Sequence, residues 1–417
     1  MLFDLSVLEM YAKMKRNKKY YVFLLIVAVL YAVQYYVNNK IFPVGDQTAF
    51  LKYAEVFHHQ YLYFGFDRYF TWSSRLLIES ASLLFSVHEK IFVAGAIIAT
   101  FFLLLPSRKL VPQAPWLPSL FIFIFFPATE FLSAGSIPTY TNYIFPASFL
   151  LFSLYYKDSE LKWIRLASLV GFAFAVMQEQ LAVFAFLWIL FEVVKNRGQI
   201  SKSLMNFLYL LVSFLGIISA RLAPGNSVRL VKEIGTWFPN FPQLSFSQKV
   251  GLGILDTGDI LLSSSFTFVF LFLLVLLSLA VVKKKGLAVF LSGFVLLTIL
   301  SQKLEWRSIL FTLSDVSRIA RESKVFSFNL AYSSVVIYYL TIFFMVAYTV
   351  WILAKQSERV WLIHILLIGF ISRMIMVFSP TLYASGTRTF LPIMISLFII
   401  SCYFCRDLFF EFNKTNN

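Results

Sequence analysis

Long apolar runs recur from one end of the chain to the other, each stopped by lysine or arginine or by a cluster of proline, glycine and asparagine. A bilayer core of ~30 Å needs about 20 apolar residues per helix, so the pattern predicts roughly twelve membrane-spanning helices. The runs are continuous, as over residues 266–282, and lack the period-2 alternation of barrel strands. Helices then remain the way to satisfy the backbone in lipid. The chain reads as one all-α polytopic membrane bundle over residues 1–417.

Charges at the ends of the runs set the order. Residues 13–19 (KMKRNKK) precede the first span, residues 20–37, which predicts a cytoplasmic N-terminus by the positive-inside rule. That run is long enough to stay as an anchor, so no cleavable signal peptide is expected. Alternation places the short basic connections at 108–109, 157–165, 195–202, 283–285 and 355–359 inside. The parity closes if the amphipathic stretch 71–87 does not cross and the second span is residues 91–105. An external first loop, residues 38–90, follows, long enough to hold interfacial helices of its own. Residues 134–142, the point around Glu179, and residues 221–259, 302–328 and 379–388 share that face.

Composition narrows the class. The chain is 59% hydrophobic with mean hydropathy +0.77, which no soluble domain of this length keeps in solution. The formal charge of +15 is spread over helix ends and gives no nucleic-acid patch. No Walker-type phosphate loop or GxGxxG stretch is present. Cys402 and Cys405 form a CxxC, but a redox or metal site usually gathers more ligands, and small core residues are the plainer reading.

Candidate chemistry collects on the external face. Asp46, after Gly45 in a polar break, is placed to act as a general base, or simply to cap a helix. Glu79 could orient an acceptor or a cation, or pair with Arg75 one helical turn before it. Glu179 between Gln178 and Gln180 would be costly to bury alone, which calls for an arginine partner or a sugar. A Pro-Gly-Asn turn at 224–226 would aim Asn226 and Arg229 at the site. Arg373 interrupts the apolar run 362–378, and an intramembrane charge points to function. Arg388 follows the polar turn 379–388. Arginine binds phosphate through a planar fork, which suits a phosphate leaving group. Arg318, Arg321 and Lys324 read as a solvated face. Trp72, Tyr140, Tyr143 and Trp237 could stack on a sugar ring.

With these residues in order, the chain resembles the GT-C superfamily of integral-membrane glycosyltransferases, in a bacterial multispan branch. The resemblance rests on Gly45-Asp46, residues 72–75 (WSSR), 135–143 (GSIPTYTNY), 178–180 (QEQ), 223–229 (APGNSVR) and 385–388 (SGTR). It implies a plasma-membrane enzyme that moves a sugar from a polyprenyl-phosphate donor to a glycan or lipid acceptor outside the cell. Asp46 would be the base of an inverting displacement, and arginines such as Arg229 and Arg388 would hold the donor phosphate. Arg75, Glu179, Asn226, Arg373 and Tyr143 complete the expected substrate set. A polyprenyl-phosphate glycosyltransferase and a flippase would act in the same pathway. Many members carry two neighbouring acids here, whereas Gln47 follows Asp46, and one carboxylate is a poor divalent site. No metal ligands are therefore assigned, and a divalent cation stays an open question.

Two other classes compete. A polysaccharide polymerase or ligase acting on polyprenyl diphosphate would concentrate its charge in late external loops and would not need Asp46. A transporter or flippase of lipid-linked sugars would favour midplane charges and internal repeats, and no repeat between the halves is evident.

Overall fold

The computed structural model describes residues 3–42, 45–132, 134–195, 200–262 and 267–415, and all regular structure among them is helical. The chain opens with α1 (Phe3–Ile41), then three short helices, α2 (Asp46–Val56), α3 (Tyr61–Thr71) and α4 (Leu76–Val87). Next come α5 (Glu89–Leu104), α6 (Ser107–Leu110) and α7 (Trp116–Phe125). One unbroken helical run joins α8 (Ser136–Thr139), a π turn at Tyr140–Ile144 and α9 (Phe145–Tyr156). It leads into α10 (Lys162–Ala175), α11 (Glu179–Lys195), α12 (Ile200–Leu222) and α13 (Pro224–Trp237). The rest is α14 (Phe246–Leu262), α15 (Thr267–Val282), α16 (Gly286–Lys303), α17 (Ile309–Ser323), α18 (Leu330–Leu353), α19 (Arg359–Met374) and α20 (Leu391–Thr415).

Seven helical stretches are long and apolar enough to cross a membrane: 18–41, 89–110, 204–222, 286–303, 330–353, 359–378 and 387–413. The pair α14 and α15, taken as one broken span, would make an eighth. The sequence pattern predicts roughly twelve. The difference comes from apolar runs that fold as short helices, such as α7, α10 and α11, with 10, 14 and 17 residues. The stretch 71–87 is a turn followed by α4, a 12-residue helix, and the next long apolar helix begins at Glu89.

Helix ends follow local chemistry. Ser308 and Asn329 cap α17 and α18, accepting from the Phe311 and Tyr332 amides at 3.3 and 2.9 Å. Pro224 occupies the first turn of α13, where its missing N–H costs nothing and its fixed φ suits a helix. That overturns the expected Pro-Gly-Asn turn.

The core beneath the site is aromatic, and the hydroxyls of Tyr31, Tyr35 and Tyr140 within it are hydrogen-bonded. Tyr31 and Tyr35 of α1 meet Tyr140 of the π turn, with Tyr35 and Tyr140 edge to face at 4.6 Å. Tyr31 donates to the Phe126 carbonyl at 2.5 Å, and Tyr140 to the Ala96 carbonyl at 3.0 Å. Tyr140 is fully buried, which removes it from the residues that could stack on a sugar. Such buried hydroxyls need partners, and here they also fix how α1, α5 and the 136–156 run sit together.

Candidate functional site

The segments with odd polar composition meet at the end of the bundle where α1 finishes. Gly45 adopts φ 63° and ψ −129°, and a Cβ there would stand 2.9 Å from the Ala134 carbonyl carbon. Only glycine fits both the conformation and the approach. The Asp46 amide donates to the Ala134 carbonyl at 3.0 Å, so the chain is pinned to the loop before α8. Asp46 is the first residue of α2, and Gly45 holds the cap position. The carboxylate makes no capping bond, so the cap reading does not account for it.

Asp46 is exposed to solvent in an open recess, with enough protein around its carboxyl to desolvate it in part. Partial burial lifts its carboxyl above the usual range; Arg388 pulls it down, Glu79 pushes it up, and Arg68 and Arg229 pull it down. The balance is upward. Asp46 forms no ion pair among the described residues.

Glu79 and Glu179 are engaged. Glu79 is buried, takes an ion pair from Arg68 at 3.3 Å, and accepts from the Ser73 hydroxyl at 3.1 Å. It does not pair with Arg75. Arg75 instead clasps Glu179 across the bundle, through Nη2 at 2.6 Å and Nε at 2.9 and 3.2 Å, and donates to Asn142 Oδ1 at 3.2 Å. Asn142 in turn donates to Ser82 Oγ at 3.0 Å. Burial works against the charge on Arg75, yet Glu179 raises its pKa on balance. The arginine partner expected for Glu179 is Arg75.

Tyr143 is the common neighbour of three arginines. The Arg75 and Arg388 guanidiniums lie 6.0 and 5.7 Å from its ring, and Arg373 is within electrostatic reach. Asn142 and Tyr143 both lie in the π turn, a device that re-aims side chains and recurs at functional sites. Arg388 has no ion-pair partner among the described residues, and its buried Nε–H is unpartnered. Arg373 is 1% exposed, donates through Nη2 to Asp256 at 2.7 Å, and has Nε and Nη1 without a partner. Gln180 ties these parts together, donating to the Thr389 carbonyl at 2.9 Å and the Ser372 carbonyl at 3.3 Å.

A cationic rim closes the other side. Arg68, Arg229 and Lys232 stand 4.7, 5.4 and 5.3 Å from the Trp72 ring. Gly225 makes this possible, since a Cβ there would lie 2.3 Å from the Trp72 amide nitrogen. Arg229 also pairs with Glu233 at 2.7 Å. Asn226 turns away and bonds the Ala220 carbonyl, which joins α12 to α13. Trp237 sits at the far end of α13, where Lys324 holds its carbonyl.

Three participants escaped the sequence reading. Arg68, Asp256 and Asp259 gave no signal beyond ordinary charges on amphipathic helices. Arg321, expected on a solvated face, reaches Asp259 at 2.7 Å and Asp256 at 3.2 Å. A divalent cation fits the recess poorly. Glu79 is held by Arg68 and Ser73, and Gln47 donates to the Ser86 carbonyl at 3.1 Å, so neither offers a second free carboxylate beside Asp46. Comparison with family models, with curated proteins and with solved structures found no match for this chain.

Proposed function

We infer that the protein is a glycosyltransferase of the GT-C kind, moving a sugar from a polyprenyl-phosphate donor to a glycan or lipid acceptor. The observation that carries the reading is the pairing of opposites in one recess: Asp46, a carboxylate with no ion pair among the described residues, lies within electrostatic reach of Arg388, whose buried Nε–H is unpartnered, while Glu79, Glu179 and Glu233 are each bonded to an arginine. In the reaction, Asp46 takes the proton of an acceptor hydroxyl as that oxygen bonds to the anomeric carbon. The bond from that carbon to the phosphate oxygen breaks, and the pair of electrons leaves with polyprenyl phosphate. Arg388, with Arg373 and Arg229 behind it, balances the charge that grows on the departing oxygen. Arg75, Glu179 and Tyr143 hold the floor of the recess in place.

On this reading the recess opens to the outside of a bacterial plasma membrane, with the N-terminus in the cytoplasm. The helices α2, α3 and α4 form the external first loop, and short apolar helices such as α7, α10 and α11 complete a bundle of about twelve spans. A flippase or polymerase does not call for an acid without an ion pair set near an arginine without one. The test is Asp46→Asn in membranes supplied with a labelled polyprenyl-phosphate sugar. General-base loss costs ~10²–10⁴ in rate. Transfer at the unaltered rate would end the assignment.

A further inference from the structure

At the opposite end of α1 from Asp46 lies a feature the transfer reaction does not use. Helices α1 and α5 run antiparallel, joined at the Asp46 end by Glu89, which pairs with Lys40 and accepts from Asn39 at 3.0 Å. Toward the other end the two helices border a groove of about 660 Å³. Tyr21, Val22, Leu25, Ile98 and Phe101 line it, and Lys18 stands in it at the terminal end. Tyr21, Val22, Leu25 and Ile98 are exposed, although both walls belong to helices long and apolar enough to cross a membrane. The occupant must therefore be apolar along most of its length.

Its end must be anionic. Lys18 and Arg108 are exposed and make no ion pair among the described residues. Arg108 is within electrostatic reach of Tyr20 and Tyr156, which places it beside the mouth of the groove. Lys109 lies 4.2 Å from the Tyr156 ring and is likewise free of ion pairs. Residues 13–19, which lead into Lys18 along α1, carry five more or less adjacent cations, Lys13, Lys15, Arg16, Lys18 and Lys19, and no acid. The neighbouring Asp158 is bound to Lys157 at 2.9 Å. Positive charge without a counter-charge, set at the end of an apolar slot, matches a lipid with an acyl chain and a negative headgroup.

We propose that the groove between α1 and α5 is a binding site for an anionic phospholipid, its chain along Leu25 and Ile98 and its phosphate at Lys18 and Arg108. The site is separate from the recess around Asp46 and does not depend on its chemistry. Each basic residue at a membrane surface adds about fivefold to anionic-lipid affinity. Purified protein in detergent, titrated with dioleoylphosphatidylglycerol or dioleoylphosphatidylcholine and read by native mass spectrometry, should retain the anionic lipid preferentially. Lys18→Gln with Arg108→Gln should reduce that preference by about 25-fold, two such factors together. Both residues are exposed, so folding is not at stake. Ile98→Trp should fill the groove and lower retention of both lipids. Equal retention of the two lipids by the unaltered protein, a preference that survives in the double variant, or retention indifferent to Ile98→Trp would each overturn the proposal.

Discussion

Arg75 and Glu179 stand 104 positions apart and close on one another through three hydrogen bonds of 2.6 to 3.2 Å, fastening the start of α4 to the start of α11. Both side chains are largely shielded, with 14% and 22% exposure. Removing one partner of such a pair strands the other, at roughly 3–5 kcal/mol. Arg75→Met and Glu179→Met should each lower the thermal stability of the detergent-solubilised protein strongly. The double variant should lose less than the sum of the two, and additive losses would show that the residues are not coupled.

The Asp46 carboxyl is raised by burial, so its ionised form, the form a base requires, appears only above the usual carboxylate range. Transfer should fall as pH drops through that raised value. Arg388 lowers the Asp46 pKa, so Arg388→Gln should move the acid limb of the pH–rate profile to higher pH, besides reducing the maximal rate. A limb that stays in place while the rate falls would separate Arg388 from Asp46.

Gly45→Ala should damage the site through the backbone alone. A residue forced into that conformation costs of order 1–3 kcal/mol, and its Cβ would press on Ala134. The expected outcome is a modest fall in melting temperature with a larger fall in transfer, because Asp46 is the next residue. Equal activity would mean that the loop absorbs the shift.

Lys232 is exposed beside Trp72, on the rim of the recess. In intact cells Lys232→Cys should react with an impermeant maleimide, while Cys402 and Cys405, both buried, stay silent. Labelling only after permeabilisation would turn the recess to the cytoplasm and remove the proposed external reaction.

The residues legible in the sequence are those that break an apolar pattern. Arg373 interrupts a hydrophobic run, and Asp46 and Arg388 stand in polar breaks between such runs, so contrast with their surroundings makes them visible. Arg68, Asp256 and Asp259 lie on helices with charge of their own, where one more polar side chain carries no contrast. The partner of Glu79 was misjudged for a related reason: Arg75 is the helical neighbour by spacing, but the break at residues 72–75 turns its side chain toward Glu179 and brings Arg68 back to Glu79. The number of spans is less legible, since an apolar run of 10 to 17 residues reads like a crossing yet forms a helix shorter than the ~20 residues a bilayer core takes. All-helical architecture was plain throughout, because hydropathy of this strength admits little else.

The π turn at Tyr140–Ile144 amounts to one residue more than an α-helix would hold over the same length. Each residue turns a helix by about 100°, so everything after that turn faces a direction set by a single extra amino acid. Deleting Thr141 would leave the apolar run over 145–156 intact, while rotating α9 relative to α8 and everything before the turn. The composition of that run and the direction its side chains face are thus set in separate stretches of sequence, and a one-codon deletion could abolish the second without touching the first.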